Sequence, residues 1–525
     1  MTFFADLHVH PFLCPYQQRK NENDLLSRNP NDETSVWHNF RKSSNFIRNL
    51  GEKFGFTTYS QADFLQSALY NVRLINAAVY PPERSFFQLS KKTLLVRILI
   101  WLGLDRFVET ELGHIVSGFS RKNIRHIKSE RYEYFTEMLH QLNFISATTP
   151  FTPDTCQRMG TIYNNIKNAR YVLLKRGCQV TSPATGPIIQ VVLSVEGGNA
   201  FWGNFKDAHG RLWNGTNFSN YMSHEQLCHY QAFNAPDFRN AITKNMIENS
   251  PDSLNSLIPQ EICDALLQNV NTLLQQKKLF SYTFSHHFYN GLCGHCASLQ
   301  PLTNLKLVDQ SFGMSTDITH LGYMVLNKLL ANNIIIDTKH MSWRARQSYY
   351  RFRKNNYPRI PIISSHSAVA GVKVIGDSAT DKHFYNVELN LCDEDIAEII
   401  SSKGLIGISM DQRVTGVQQG NPPEGLWHQF KYIAEKAASG IRNDGQTVWD
   451  NMCIGSDFDG VIHPIHNFKK YELFKALGEF LLQRIEEYIA NPPSNFLPQD
   501  KLQPQQILSK ICYRNMCEVI KKNYP

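Results

Sequence analysis

Residues 188–196 read IIQVVLSVE, an almost continuous apolar and β-branched run that stops at a carboxylate. Residues 333–340, NIIIDTKH, and 361–366, PIISSH, have the same form and stop at a histidine. Strands buried on both faces of a parallel sheet have such continuous, rather than alternating, apolar sequences. The three segments therefore predict parallel β-strands, each with a chemically versatile side chain at its carboxyl end.

Segments of this kind recur along the whole chain. They occupy residues 2–10, 72–80, 188–196, 280–286, 333–340, 360–366, 404–410 and 452–457. Helical patterns lie between the later ones, as at residues 316–332, where Leu321, Val325 and Leu329 share one face. Alternating strands and helices are typical of a parallel sheet, and eight such strands predict an α/β fold of the (β/α)8 TIM-barrel type.

The length of the chain exceeds what such a barrel needs. A barrel takes about 250 residues, and the chain has 525. We expect a single domain, residues 1–525, with long helical insertions at about 11–71, after the first strand, and 197–278, after the third, and with a helical carboxyl-terminal tail. The apolar run at 93–104 contains Arg97 and falls short of the about 20 residues that span a bilayer. It predicts a buried helix.

Composition is typical of a globular protein. Hydrophobic residues make up 42% of the chain, which is enough to build a core and excludes a disordered or collagen-like protein. The net charge of +8 is modest for this length. The segment richest in lysine and arginine, residues 121–131, has the spacing of a solvated helix face. We therefore expect neither a nucleic acid nor a membrane as partner.

The cysteines favour a reducing compartment. There are 11, an odd number, without the spacing of a disulfide scaffold. The first residues lack a signal-peptide pattern, so we expect a cytoplasmic location. Cys293 and Cys296 form a C-x-x-C motif, but neither a second pair nor a thioredoxin-like βαβ context accompanies it. We interpret them as two free thiols in a loop near the barrel mouth.

Polar residues at the strand ends form the strongest functional signal. Because side chains alternate along a strand, His8 and His10 lie on the same side of the first one. The later strands end at Glu196, His340, His366 and Asp457. The carboxyl ends of barrel strands meet at one mouth. Four imidazoles and two carboxylates there suit two divalent ions, with zinc as the favoured metal.

The order of these motifs resembles that of the membrane (renal) dipeptidase family of metallopeptidases, in the amidohydrolase superfamily. The matching segments are H-x-H at 8–10, SVEGG at 194–198, D-x-x-H at 337–340, SHS at 365–367 and SDFDG at 456–460. The resemblance implies two metal ions bridged by Glu196. It assigns His8 and His10 to the first ion, and His340 and His366 to the second.

The resemblance also implies a reaction. Asp457 would lie beside the first ion, as a ligand and as the proton carrier. His286, at the end of the fourth strand, would contact the substrate and support the tetrahedral oxyanion. The implied activity is hydrolysis of the amide bond of a dipeptide or a similar small amide, with a metal-bridging hydroxide as nucleophile. The sequence does not decide the oligomeric state, and a homodimer is one candidate.

Three features depart from the family pattern. His10 stands where the family usually has aspartate, which makes the site more positive by one charge and favours an anionic substrate. The arginine-asparagine pair that grips the substrate carboxylate is matched only by Leu389 and Asn390. Arg413, just past the seventh strand, is the candidate replacement for binding substrate. The two long insertions match nothing in the family pattern.

Two alternative functions remain. A two-metal phosphoesterase or nuclease of the same superfamily would use the same ligand types, and the positive net charge is compatible with it. The VEGG and DFDG segments and the lack of a basic stripe favour the amide hydrolase. A non-catalytic descendant would use the barrel mouth only for binding. Release of amino acids from dipeptides would support the amide hydrolase, and salt-sensitive DNA binding would support the nuclease. Absence of both metal and turnover would support the non-catalytic descendant.

Overall fold

The computed structural model describes most of the chain. The described residues are 2–18, 37, 60–92, 94–147, 169–177, 180–183, 186–230, 243, 247, 258–378, 381, 383–416 and 421–524. Most of the predicted insertion at 11–71, and the middle of the one at 197–278, lie outside them.

All eight strands predicted from the sequence are present. In chain order, the strands of the described residues are β1 (Phe4–Val9), β2 (Val72–Val79), β3 (Arg170–Leu173), β4 (Ile188–Glu196), β5 (Phe205–Lys206), β6 (Leu212–Trp213), β7 (Leu279–Thr283), β8 (Ile335–Asp337), β9 (Ile363–Ser367), β10 (Leu405–Ile408) and β11 (Met452–Ile454). Three short strands, β3, β5 and β6, were not predicted. Every residue of β1, β2 and β7 is buried, as continuous apolar runs require.

Helices separate the strands. The α-helices of the described residues are α1 (Leu13–Gln17), α2 (Phe64–Leu69), α3 (Leu94–Trp101), α4 (Asp105–Ser117), α5 (Arg121–Lys128), α6 (Tyr134–Ala147), α7 (His224–Tyr230), α8 (Gln260–Gln275), α9 (Gln300–Asn304), α10 (His320–Ala331), α11 (Trp343–Asn356), α12 (Asp393–Ser401), α13 (Gln412–Thr415), α14 (Pro422–Lys436), α15 (Phe474–Ala490), α16 (Pro504–Ser509) and α17 (Asn515–Asn523). The last three form the predicted helical tail. Four helices, α3 to α6, form a further segment after β2 that was not predicted as an insertion.

The sheet has the strand order of a (β/α)8 barrel. The order is β1-β2-β4-β7-β8-β9-β10-β11, and β3 pairs with β4 outside this path. Neighbours run parallel in the pairs β1–β2, β7–β8, β9–β10 and β10–β11. The last strand returns to the first, since the backbone N–H of His10 donates to the carbonyl of Phe458 at 3.0 Å. The predicted barrel class is confirmed.

The chain divides into two compact units. Unit 1 comprises Met1–Ala78, Asn143–Ser194 and Pro361–Pro525, and unit 2 comprises Val79–Leu142 and Val195–Ile360. The core of unit 1 contains Leu7, Ile406 and Ile454, and that of unit 2 contains Leu266, Leu321 and Ile335, all fully buried. That the whole chain forms a single domain stays a prediction.

Two glycines let strands β9, β10 and β11 pack closely. A Cβ atom added at Gly407 would stand 1.9 Å from the carbonyl oxygen of Ser365, and one added at Gly455 would stand 1.8 Å from the same oxygen. Because no side chain fits in that space, glycine is required at both positions. The close approach fixes Ser365, which contacts two of the predicted metal ligands.

The prediction of a buried helix at residues 93–104 is wrong. The segment forms α3, but Ile98 is 44% exposed and Trp101 is 83% exposed. Among the described side chains of this helix, Val96 is buried, whereas Ile100 is also exposed. Length and apolar content alone therefore do not bury a helix. Among the described residues, no helix is long and apolar enough to cross a membrane.

Candidate metal centre

The end of β1 and the loop after β11 form the first donor cluster, within unit 1. The Nε2 atoms of His8 and His10 lie 3.2 Å apart, and Oδ1 of Asp457 lies 3.6 Å from Nε2 of His10. Both histidines are buried. Two ligands held at 2.0–2.1 Å on a tetrahedral zinc ion are separated by about 3.3 Å. The three donor atoms therefore have the spacing and the chemistry that one divalent ion needs.

The turn that carries Asp457 is strained and tied to β1. Asp457 has a left-handed φ of 58°, and its N–H donates to the carbonyl of His8 at 2.9 Å. Such a conformation is costly for any residue but glycine and persists only where the surroundings enforce it. The Asp6 carboxylate accepts from the N–H of Ser456 and the hydroxyl of Tyr471, each at 2.8 Å. Burial raises the pKa of Asp6 to about 6 although these bonds lower it.

His366 lies beside His8 in unit 1. Their ring centroids are 4.0 Å apart. The hydroxyl of Ser365 lies 3.1 Å from Nδ1 of His8 and 2.9 Å from Nδ1 of His366. A hydrogen bond at one ring nitrogen fixes the orientation of a histidine ligand and the nitrogen that binds metal. Through these two contacts Ser365 orients both rings.

The second donor cluster lies within unit 2 and consists of Glu196, His286 and His340. Nε2 of His286 and Nε2 of His340 each lie 3.6 Å from Oε1 of Glu196, and all three side chains are buried. Burial lowers the pKa of His340 to about 3, although Glu196 raises it. His340 also has a left-handed φ of 66°. A neutral imidazole in a fixed orientation is the form that binds a divalent ion.

Glu83 holds His286 from the side opposite Glu196. Its Oε2 lies 2.8 Å from Nδ1 of His286, and its Oε1 accepts from the N–H of Phe288 at 3.2 Å. Sequence reasoning missed Glu83. The signal was present, since Glu83 follows the second strand as the other polar residues follow theirs.

The two glycines after Glu196 allow a tight turn at the end of β4. Gly197 has a φ of 96°, and a Cβ at Gly198 would stand 2.8 Å from the carbonyl oxygen of Phe284. The first position needs a left-handed backbone and the second needs close backbone approach. Together they let the chain turn directly after the Glu196 carboxylate.

The C-x-x-C loop supports the backbone of the second cluster. Cys293 and Cys296 are fully buried thiols that form no disulfide. Sγ of Cys296 donates to the carbonyl of His340 at 3.3 Å. Burial raises the pKa of Cys293 well above its usual range, which keeps the thiol protonated and unreactive. The structure therefore favours the interpretation of both residues as free thiols over a redox motif.

Arg413 already has a carboxylate partner. Its Nε and Nη2 donate to Asp411 at 2.9 and 2.6 Å, and Nη2 also donates to the carbonyl of Val461 at 3.2 Å. Burial lowers the pKa of Arg413, but Asp411 more than offsets this and holds it above the usual value. Asn390, the tentative match to a family residue, donates to the carbonyl of Val414 at 3.0 Å. It has a structural role in this chain.

Each unit brings several predicted site residues together. Unit 1 brings together His8, His10, His366 and Asp457, and unit 2 brings together Glu196, His286 and His340. His286, predicted to contact substrate, is as close to Glu196 as the predicted ligand His340 is. The individual roles of these residues stay predictions.

Comparison with solved structures supports the fold. One match is a dipeptidase described as a metallopeptidase. The TM-score is 0.50 at 12% identity, covering 100% of this chain and 99% of that chain. At this identity the likeness shows the fold alone. The resemblance to dipeptidases inferred from the motifs is confirmed at that level.

Two further solved structures match less closely. A metallopeptidase from Rhodobacter sphaeroides, bound to a phosphinate mimic of the dipeptide L-Ala-D-Ala, has a TM-score of 0.49 at 12% identity over 100% of both chains. A probable dipeptidase from Pseudomonas aeruginosa has a TM-score of 0.41 at 11% identity, covering 92% of this chain and 100% of that one. No protein-family model and no curated protein matches the sequence.

Proposed function

We propose that the chain is a binuclear metal-dependent hydrolase that cleaves the amide bond of dipeptides or similar small amides. The observation that carries the proposal is the spacing of the His8, His10 and Asp457 donors, since buried imidazoles and a carboxylate at such distances suit a divalent ion. The dipeptidase-like fold supports the same reaction class.

The donor sets fit zinc-type ions. Imidazole nitrogens and carboxylate oxygens are the ligands that such ions prefer. In the proposal His8 and His10 hold one ion, with Asp457 beside it. Glu196 would serve both ions, and His340 and His366 would hold the second one. Two bound ions would supply an acidified water molecule and polarise the substrate carbonyl.

Asp457 is the proposed proton carrier. Its side chain is 16% exposed, whereas the neighbouring His10 is almost fully buried. Contact with both the interior and the substrate side is what a proton-transferring group needs. It would accept a proton from the attacking water and deliver it to the leaving amine. The strained turn at Asp457 holds the carboxylate in place during both transfers.

His286 is the proposed oxyanion donor. With Glu83 accepting the proton of Nδ1, only a second proton at Nε2 allows this ring to donate to a developing oxyanion. The buried Glu83 carboxylate compensates the charge of the doubly protonated ring. Pre-placed donors of this kind lower the barrier because they need no reorganisation during the reaction.

The proposed substrate carries a carboxylate, as a dipeptide does. His10 in place of aspartate makes the site more positive by one charge and so attracts an anion. Arg413 is the proposed partner of the substrate carboxylate, although Asp411 offsets much of its charge. A cytoplasmic location and a homodimer stay predictions.

Metal analysis together with a dipeptide hydrolysis screen tests the proposal. We expect about two ions per purified wild-type chain, fewer ions in His10→Ala and in His340→Ala, and loss of turnover in both variants. His209→Ala, which alters an exposed histidine, is the matched control and should keep both metal and turnover. A metal-free, inactive wild-type chain would favour the alternative of a non-catalytic descendant that only binds its ligand. Phosphodiester cleavage without dipeptide hydrolysis would favour the nuclease.

A further inference from the structure

The exposed apolar side chains are concentrated at one place. Among the described residues, nine large hydrophobic side chains are exposed, and six of them lie within residues 98–107. These six are Ile98, Ile100, Trp101, Leu102, Leu104 and Phe107. Single exposed apolar residues are ordinary, but a contiguous group marks a surface that binds something. We call residues 98–107 the α3–α4 tip.

The α3–α4 tip is an open turn between two helices. Helix α3 ends at Trp101 and α4 begins at Asp105. Gly103 between them has a left-handed φ of 67°, and a Cβ added there would meet nothing within 4 Å. Trp101 is 83% exposed and Phe107 is 66% exposed. The largest apolar groups of the tip therefore stand away from the rest of unit 2.

Exposed cations flank these apolar groups in the sequence. Lys91, Lys92, Arg97 and Arg106 are all exposed, whereas the only acidic residue of the described positions between 91 and 107 is Asp105, which is half-buried. Arg97 precedes Trp101 by four residues, so both lie on the same face of α3. One of the four, Lys92, has an acidic neighbour in Asp309 at 2.8 Å. The tip and the residues just before it, 91–97, together combine exposed aromatic and aliphatic groups with an excess of positive charge.

Charge and shape together select the partner. A second copy of the chain would bring two such sets of cations together, and like charges disfavour such a contact. An acidic protein would need a groove shaped to the tip. An anionic bilayer needs no such groove, because aliphatic groups enter its acyl region, Trp lies at its interface, and Lys and Arg bind its headgroups.

We propose that the α3–α4 tip inserts into the surface of an anionic lipid bilayer. The contact is peripheral and replaces the expectation, made from the sequence, that the chain has no membrane partner. It does not depend on the proposed hydrolase activity, since none of the predicted ligands lies in the tip. Membrane binding and catalysis therefore succeed or fail separately.

Co-sedimentation with vesicles tests this proposal. We expect the full chain to bind phosphatidylcholine vesicles that contain about 30 mol% phosphatidylserine, and to bind pure phosphatidylcholine weakly. Trp101→Ser with Phe107→Ser should weaken binding at least about 10-fold, because two apolar anchors are lost. Arg97→Glu with Arg106→Glu should remove the preference for the anionic vesicles, and added salt should do the same to the wild-type chain.

Leu305→Ser is the matched control. Leu305 belongs to the same unit and is 54% exposed, but lies outside the tip. It should leave vesicle binding unchanged, and thermal unfolding should show that every variant is folded. The proposal would be overturned if the wild-type chain did not bind anionic vesicles. It would also be overturned if the double variant Trp101→Ser with Phe107→Ser bound them as strongly as the wild-type chain does. A dimer that this double variant splits, without vesicle binding, would identify the tip as a self-association surface.

Discussion

Oε2 of Glu83 lies 2.8 Å from Nδ1 of His286, and both side chains are buried. The two residues are 203 positions apart in the sequence. The other oxygen of Glu83 accepts a backbone N–H, so the carboxylate cannot rotate without losing a bond. This contact sets the orientation of the His286 ring.

Glu83→Gln should therefore slow the reaction more than it weakens substrate binding. A neutral amide cannot compensate a doubly protonated His286, so we expect kcat to fall about 10–100-fold, with KM changed little. Steady-state kinetics measure kcat and KM separately, and ¹⁵N NMR of the His286 ring reports which of its nitrogens are protonated. Glu109→Gln, which alters a carboxylate paired with Lys128, is the control. A Glu83→Gln variant with wild-type kcat would exclude the positioning role.

Metal removal should destabilise the chain. Bound ions stabilise only the folded state, by about 2.7 kcal/mol when the free ion is at 100 times its Kd. We expect a chelator to lower the Tm of the metal-loaded wild-type chain. It should have little effect on a variant that combines His10→Ala with His340→Ala. An equal shift in both proteins would mean that these donors do not hold the ions.

Gly455→Ala should unfold the chain at a lower temperature. Its Cβ would stand 1.8 Å from the carbonyl oxygen of Ser365, and relieving this overlap should cost about 3 kcal/mol of unfolding free energy. Gly445→Ala is the comparison, since its Cβ meets nothing within 4 Å and only its φ of 74° is strained. That strain costs about 1–2 kcal/mol. Denaturant unfolding measures both, and equal losses would contradict the packing of β9, β10 and β11.

His295 should make stability depend on pH. Burial lowers its pKa from 6.5 to about 4, so the unfolded chain binds this proton more tightly than the folded one. The neutral His295 side chain therefore contributes about 3 kcal/mol to the free energy of unfolding above pH 6.5, and this contribution is lost as the pH falls toward 4. The free energy of unfolding of the His295→Gln variant should fall less over this pH range than that of the wild-type chain. Parallel pH profiles from urea unfolding would show that another group is responsible.

The sequence predicted the strands because burial on both faces leaves a local signature. Residues 188–196 have the predicted bounds as β4. Elsewhere the predicted runs extend too far, as at Asp457, which lies three residues beyond the end of β11. Ladder hydrogen bonds end there, while the chain continues into the turn that presents its functional side chain.

Contacts between distant positions were beyond reach of the sequence. Nothing near Glu83 indicates His286 as its partner, because only the fold brings them together. Exposure is a similar case. Trp101 lies in the most apolar run of the chain and is nevertheless 83% exposed, since burial depends on what packs against a helix rather than on its composition.

The bond between Asp6 and Ser456 joins positions 450 apart in the chain. A ribosome adds about 5–20 residues per second, so roughly 20–90 s pass between synthesis of the two partners. During that interval His8 and His10 have left the ribosome without Asp457. The first donor cluster is therefore completed only long after its two histidines have been synthesised, when Asp457 has also been added.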